Sequence, residues 1–156
     1  MLSPSLSKNL LEAMFGIKTT VTFPGTAYLG ISTTDPGPDG TAFSEPDPDT
    51  TGYSRCLIGK QNNTEVQYME VSTEEADYSR VIRNNRMILM DMLTADVGAN
   101  GTHYMLFSTA TGGTPYAWGQ LKDAIILEHD RVVVFKEGNL ELELTDAQAV
   151  AEATTE

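Results

Sequence analysis

Leu140-Glu141-Leu142-Glu143-Leu144 alternates one apolar with one acidic residue without a break. Side chains on a β-strand project to opposite faces with a period of two, so this stretch reads as a strand with one buried and one wet face. It follows the turn signal Glu137-Gly138-Asn139, and before that an apolar run, Val132 to Phe135. Upstream, Ala124 to Leu127 is apolar, and Glu128-His129-Asp130 separates it from that run. The C-terminal third therefore reads as short strands joined by tight turns.

The same grammar extends towards the N-terminus. Thr102 to Thr109 and Tyr116 to Leu121 read as strands around a Gly112-Gly113 hairpin turn closed by Pro115. Met87 to Leu93 is apolar except for Asp91 and reads as a strand buried on both faces. Gly52 to Ile58 and Thr64 to Val71 read as further strands, whereas 73–83 is charged and ambiguous. Thr26 to Thr33 reads as a strand with Ala27, Leu29 and Ile31 on one face. Residues 3–15 differ: Leu6, Leu10, Leu11, Met14 and Phe15 recur at helical spacing, Ser3 or Ser5 can cap the start, and Gly16 stands where a helix stops. The expected fold is mainly β: an antiparallel sandwich, jelly-roll-like, with a short N-terminal helix. Its expected organisation is an N-terminal helix or arm over 1–16, a β-domain over 17–145, and a tail over 146–156 that frays unless a partner receives it.

One segment breaks the pattern. Residues 34–51 are rich in Asp, Pro, Gly, Ser and Thr, and prolines at 36, 38, 46 and 48 remove backbone donors. The segment is expected to be a rigid acidic loop, neither central strand nor helix, lying outside the core and touching another subunit. Asp35, Asp39, Glu45, Asp47 and Asp49 give it enough hard oxygen to make calcium worth weighing. The spacing fails the EF-hand pattern, because Gly37 and Pro46 fall where acids are wanted, and no metal or other cofactor is expected.

Composition narrows the partners. Lys and Arg number 10 against 22 Asp and Glu, a net charge of −12, so phosphate backbones and anionic lipid repel this surface. Neither nucleic acid nor membrane is an expected partner. No apolar run approaches the roughly 20 residues of a membrane span, and Met1 to Phe15 lacks the continuous apolar stretch of a signal peptide. The one cysteine, Cys56, excludes an intrachain disulfide and reads as a small buried apolar residue. The two histidines, His103 and His129, stand without a Gly-x-Ser-x-Gly elbow or a zinc spacing, so no catalytic residue is assigned and no enzyme is expected. Tyr28, Tyr53, Tyr104, Phe107, Tyr116 and Trp118 could form a glycan platform, but their strand positions favour packing.

Several motifs occur in an order that resembles a family. The stretch Thr26 to Gly37 ends in Ser32-Thr33-Thr34-Asp35-Pro36-Gly37, and Gly52-Tyr53-Ser54-Arg55 follows it. Next come Ala110-Thr111-Gly112-Gly113 with Tyr116, Gly119 and Leu121, then Phe135, Gly138 and the alternating leucines. Together they are similar to small tailed-phage virion proteins usually labelled tail fibre proteins. Residues 60–101 depart from that family by lacking its Trp-Gly step. The resemblance implies a non-enzymatic structural subunit of a bacteriophage virion, tail- or fibre-associated or capsid-decorating, made in the host bacterial cytoplasm. It implies other virion proteins as partners; the two termini, read as arms that reach a neighbouring chain, add the expectation of a cyclic homo-oligomer, a trimer among its forms. The assembly contacts expected are Leu6, Leu10, Met14 and Phe15 on the helix and Glu45, Asp47 and Asp49 in the loop. The alternative is a receptor- or glycan-binding module of a tail fibre.

Overall fold

In a computed structural model, residues 1–17, 20, 24–71 and 81–143 are described. Strands β1 (Thr26–Ser32), β2 (Cys56–Lys60), β6 (Gly101–Phe107) and β7 (Ala117–Ile125) form a four-stranded sheet in the order β2-β1-β6-β7. All its pairings are antiparallel. Strands β3 (Met69–Val71), β4 (Val81–Asn84) and β9 (Glu141–Glu143) form a second antiparallel sheet. Strands β5 (Ile88–Met92) and β8 (Val132–Phe135) pair as a two-stranded antiparallel ribbon. Helix α1 (Pro4–Met14) precedes them. The protein is thus mainly β with antiparallel sheets and a short N-terminal helix, as the alternating leucines and turn spacing require. No helix among the described residues is long and apolar enough to cross a membrane.

The four-stranded sheet is covered on both faces. Leu29 and Ile31 from β1, Leu106 from β6 and Ala117 from β7 meet Ile88, Met90, Val133 and Phe135 of the ribbon, with Leu140 beside them, in the main core. Met105 and Phe107 from β6 and Trp118 from β7 point the other way into a second cluster, closed by Tyr28 and Phe43. Phe43 belongs to the acidic loop, and its ring meets that of Phe107 edge-on at 5.6 Å.

The loop therefore departs from expectation. It covers the back of the sheet: Pro36 and Pro46 are buried, and Gly40 lies against the Trp118 indole. A proline ring is apolar and lacks only a donor, so burying it leaves no N–H unsatisfied. The loop also contains a short helix, α2 (Pro48–Thr51), capped by Asp47, whose side chain accepts from the Asp49 N–H at 3.0 Å. Proline at the first helical position suits a helix start, so Pro48 begins α2 where it was expected to forbid it.

Other expectations shift for identifiable reasons. The strands buried on both faces are β1, where Leu29 to Ser32 are all buried, and β6, where Met105, Leu106 and Phe107 are; β5 buries Ile88 and Met90 and exposes Leu89 and Met92. The expected strand 64–71 is a 3-10 turn at Thr64–Val66 followed by β3, because Asn63 caps the turn by accepting from the Glu65 N–H. Strand β4 emerges from the end of the charged stretch read as ambiguous. The runs 116–121 and 124–127 belong largely to one long strand, β7. The alternation that decided the fold is present at Leu140, which is buried, and at Leu142, which is half-buried; Leu144 and the tail lie outside the described residues.

Candidate assembly surface

The N-terminal segment is anchored at its root. Leu2 bridges antiparallel to Ala117, Ser3 N–H donates to the Tyr116 carbonyl at 2.8 Å, and Trp118 N–H donates to the Met1 carbonyl at 2.9 Å. Residues 1–3 thus extend the four-stranded sheet past β7. Ser3 then caps α1 by accepting from the Leu6 N–H, with Pro4 at the first helical position. At the far end Gly16 adopts a left-handed φ of 68°. Its N–H donates to the Ala13 carbonyl and that of Ile17 to the Glu12 carbonyl, the paired bonds of a Schellman cap. Both ends of the helix are satisfied, yet α1 buries none of its residues. Leu6 and Leu10 are half-buried, whereas Leu11 is exposed, and Met14 and Phe15 expose 77% and 76% of their surfaces. The predicted helix is present, with its apolar stripe largely bare.

The acidic loop residues do not converge. The Asp35 carboxylate accepts from Gly37 N–H at 2.9 Å, and Asp39 accepts from the N–H and hydroxyl of Thr41. The Thr41 bonds hold the Asp39 carboxyl below its ordinary range. Asp47 and Asp49 are exposed at the start of α2. Glu45, expected at a contact with a neighbour, is engaged inside its own chain: it accepts from Arg55 Nε at 2.9 Å and from the Tyr53 hydroxyl at 2.9 Å. Among the described residues no three His, Cys, Asp or Glu side chains group as a metal site would require.

The remaining chemistry-bearing groups are dispersed. Thr102 Oγ1 lies 2.9 Å from His103 Nδ1, with Asp35 3.9 Å from the other ring nitrogen, and His129 is exposed beside Asp130. Burial, and then the Asp91 charge, push the Cys56 thiol up, away from the reactive thiolate. Phe107, Trp118 and Tyr53 are buried, so they present no aromatic platform to a sugar.

A surface that the sequence reading missed lies on the ribbon. Leu89 of β5 pairs in register with Val134 of β8, and Met92 with Val132, and all four side chains face outward and exposed. Met87 extends the patch. Only the unbroken apolar run Val132-Val133-Val134-Phe135, with no polar residue on either face, could have marked it beforehand.

The match of residues 1–143 to the family model described as podophage GP4 fiber I protein gp80 covers the helix, every strand and the loop. The chain belongs to this family. No curated protein matches it. This fibre protein is accordingly of a phage structural family.

Proposed function

We propose that the chain is a non-enzymatic structural subunit of a phage fibre that works through protein–protein assembly in the virion, and that its N-terminal helix joins it to a neighbouring chain. One observation carries this reading: α1 is capped at both ends and fastened to β7 at its root, yet leaves Leu11, Met14 and Phe15 in water. An isolated helix of this length is marginal, so a face of this kind calls for a partner. The acidic charge keeps free subunits apart and soluble until they assemble. The assembly proposed is a cyclic homo-oligomer, with a trimer as the working case, in contact with other virion proteins. In this reading Asp47 and Asp49 remain available to a neighbour, whereas Glu45 does not. The 146–156 tail is proposed as a second arm.

The test replaces Leu11, Met14 and Phe15 together by glutamate, leaving residues 1–3 in place. Light scattering should show the parent chain as an oligomer and the variant as a folded monomer that no longer enters particles. An oligomeric variant incorporated like the parent would refute the role of the helix.

A further inference from the structure

We infer that the outer face of the β5–β8 ribbon receives helix α1 of a second copy of this chain. The inference rests on the assembly reading above and names the surface that completes it.

Among the described residues neither face is covered by another part of the chain, and the two lie apart. The helix springs from residues paired to β7, at one edge of the four-stranded sheet. The ribbon lies against β2 at the other edge, where the Cys56 thiol donates to the Leu89 carbonyl at 3.6 Å. The contact that joins them is therefore between chains and head-to-tail, the type that forms a ring where its rotation closes and a filament where it does not.

Size and charge select this occupant over the alternatives. Leu11, Met14 and Phe15 with the half-buried Leu6 and Leu10 form one stripe, and Met87, Leu89, Met92, Val132 and Val134 form one patch. Each offers apolar surface on the order of 500 Å², so their union buries about 1,000 Å², the lower bound for a specific interface. Pairing two ribbons about a two-fold axis would bring Asp91, exposed on β5, towards its own copy in a chain already at −12. The helix instead brings Lys8, exposed and 3.6 Å from Glu12, a pair that adds no net charge beside Asp91. Pairing two helices would leave the ribbon patch in water.

The experiment uses the full chain with Cys56→Ser. Chains carrying Met14→Cys and chains carrying Leu89→Cys are coexpressed, oxidised and resolved by mass, beside each variant alone and the double variant. Expected are a covalent dimer in the coexpressed sample, none from either variant alone, and a ladder of multimers from the double variant. In addition, Leu89→Asp should weaken association at least tenfold while leaving the circular dichroism spectrum unchanged. Cross-linking of Met14→Cys to itself would show helix against helix and overturn the inference. So would a double variant closing its disulfide within one monomer, because the helix would then cover its own ribbon. An oligomer by light scattering with no Met14–Leu89 cross-link overturns the inference and leaves the assembly reading standing. A monomeric parent chain overturns both.

Discussion

The Glu45 carboxylate accepts from Arg55 Nε at 2.9 Å while the Arg55 guanidinium carbon lies 3.3 Å from the centre of the Phe107 ring. The same guanidinium donates to the carbonyls of Thr109 and Gly112 at 3.0 and 2.8 Å. One side chain, only 4% exposed, thereby fastens the acidic loop and the β6–β7 turn to the back of the sheet. Removing one partner of such a pair leaves the other charge desolvated and unpaired, which costs far more than the pair itself contributes. Glu45→Ala should therefore lower stability by about 3 kcal/mol in a denaturant titration. Combining it with Arg55→Met should recover part of that loss. A single substitution costing under ~1 kcal/mol would mean the pair behaves as an exposed one.

The loop depends equally on a missing side chain. Gly40 has φ of +73°, and a Cβ there would sit 2.6 Å from Trp118 Cζ3. Gly40→Ala incurs both a left-handed backbone and a clash with a buried ring, at a cost of about 2 kcal/mol or more. The loop should lift before the rest of the fold does. Limited proteolysis should accordingly cut within 34–51 faster than in the parent, with Trp118 fluorescence shifting to the red. Unchanged cleavage and emission would show that the loop does not depend on this contact.

These two sites also show how far sequence reading reached. Composition identified 34–51 as irregular and acidic, because prolines and acids act locally. It could not show which carboxylate meets Arg55, since Glu45 and Arg55 are brought together by tertiary packing. It gave the helix and its stop, because Ser3, Pro4 and Gly16 are local signals. It placed Met87–Leu93 in a strand buried on both faces, because hydrophobicity alone does not distinguish a core from an exposed apolar face. Leu89 and Met92 are exposed although their composition is that of a core.

Stability should fall at high pH. Burial pushes the Tyr116 phenol up to about 12, and burial together with the Glu45 charge raises Tyr53 further. In the unfolded chain a tyrosine titrates near ~10. A raised folded pKa gives stability that is complete below the unfolded value and is lost as pH rises through the folded one. Denaturation midpoints should thus be flat from neutrality to about pH 9 as far as these groups act, then decline above ~10. Tyr116→Phe should shallow that decline. An identical alkaline slope in the variant would remove Tyr116 from the account.

The junction between the ribbon and the β3–β4–β9 sheet turns on Asn84, which is 1% exposed. Its amide nitrogen donates to the carbonyls of Arg86 at 2.9 Å and Lys136 at 2.8 Å, and its amide oxygen accepts from Leu140 N–H at 2.8 Å. The side chain thus closes the turn into β5, the turn out of β8 and the entry to β9. Asn84→Asp is nearly isosteric but replaces the donating nitrogen by an oxygen. At neutral pH it sets a buried negative charge against two carbonyl oxygens that have lost their donor. The expected loss is about 3 kcal/mol or more. Burial and those carbonyls disfavour the charged form, so the new carboxyl should titrate above the ordinary carboxylate range. A raised folded pKa makes the variant's deficit smallest below the unfolded value of about 4 and largest once pH exceeds the folded one. Comparing parent and variant by urea denaturation at pH 4 and pH 7 reads this directly. The gap should widen at pH 7, and hydrogen exchange at Leu140 should rise with it. A gap independent of pH would mean that the carboxyl reaches solvent and that Asn84 does not hold the junction in the way these hydrogen bonds indicate.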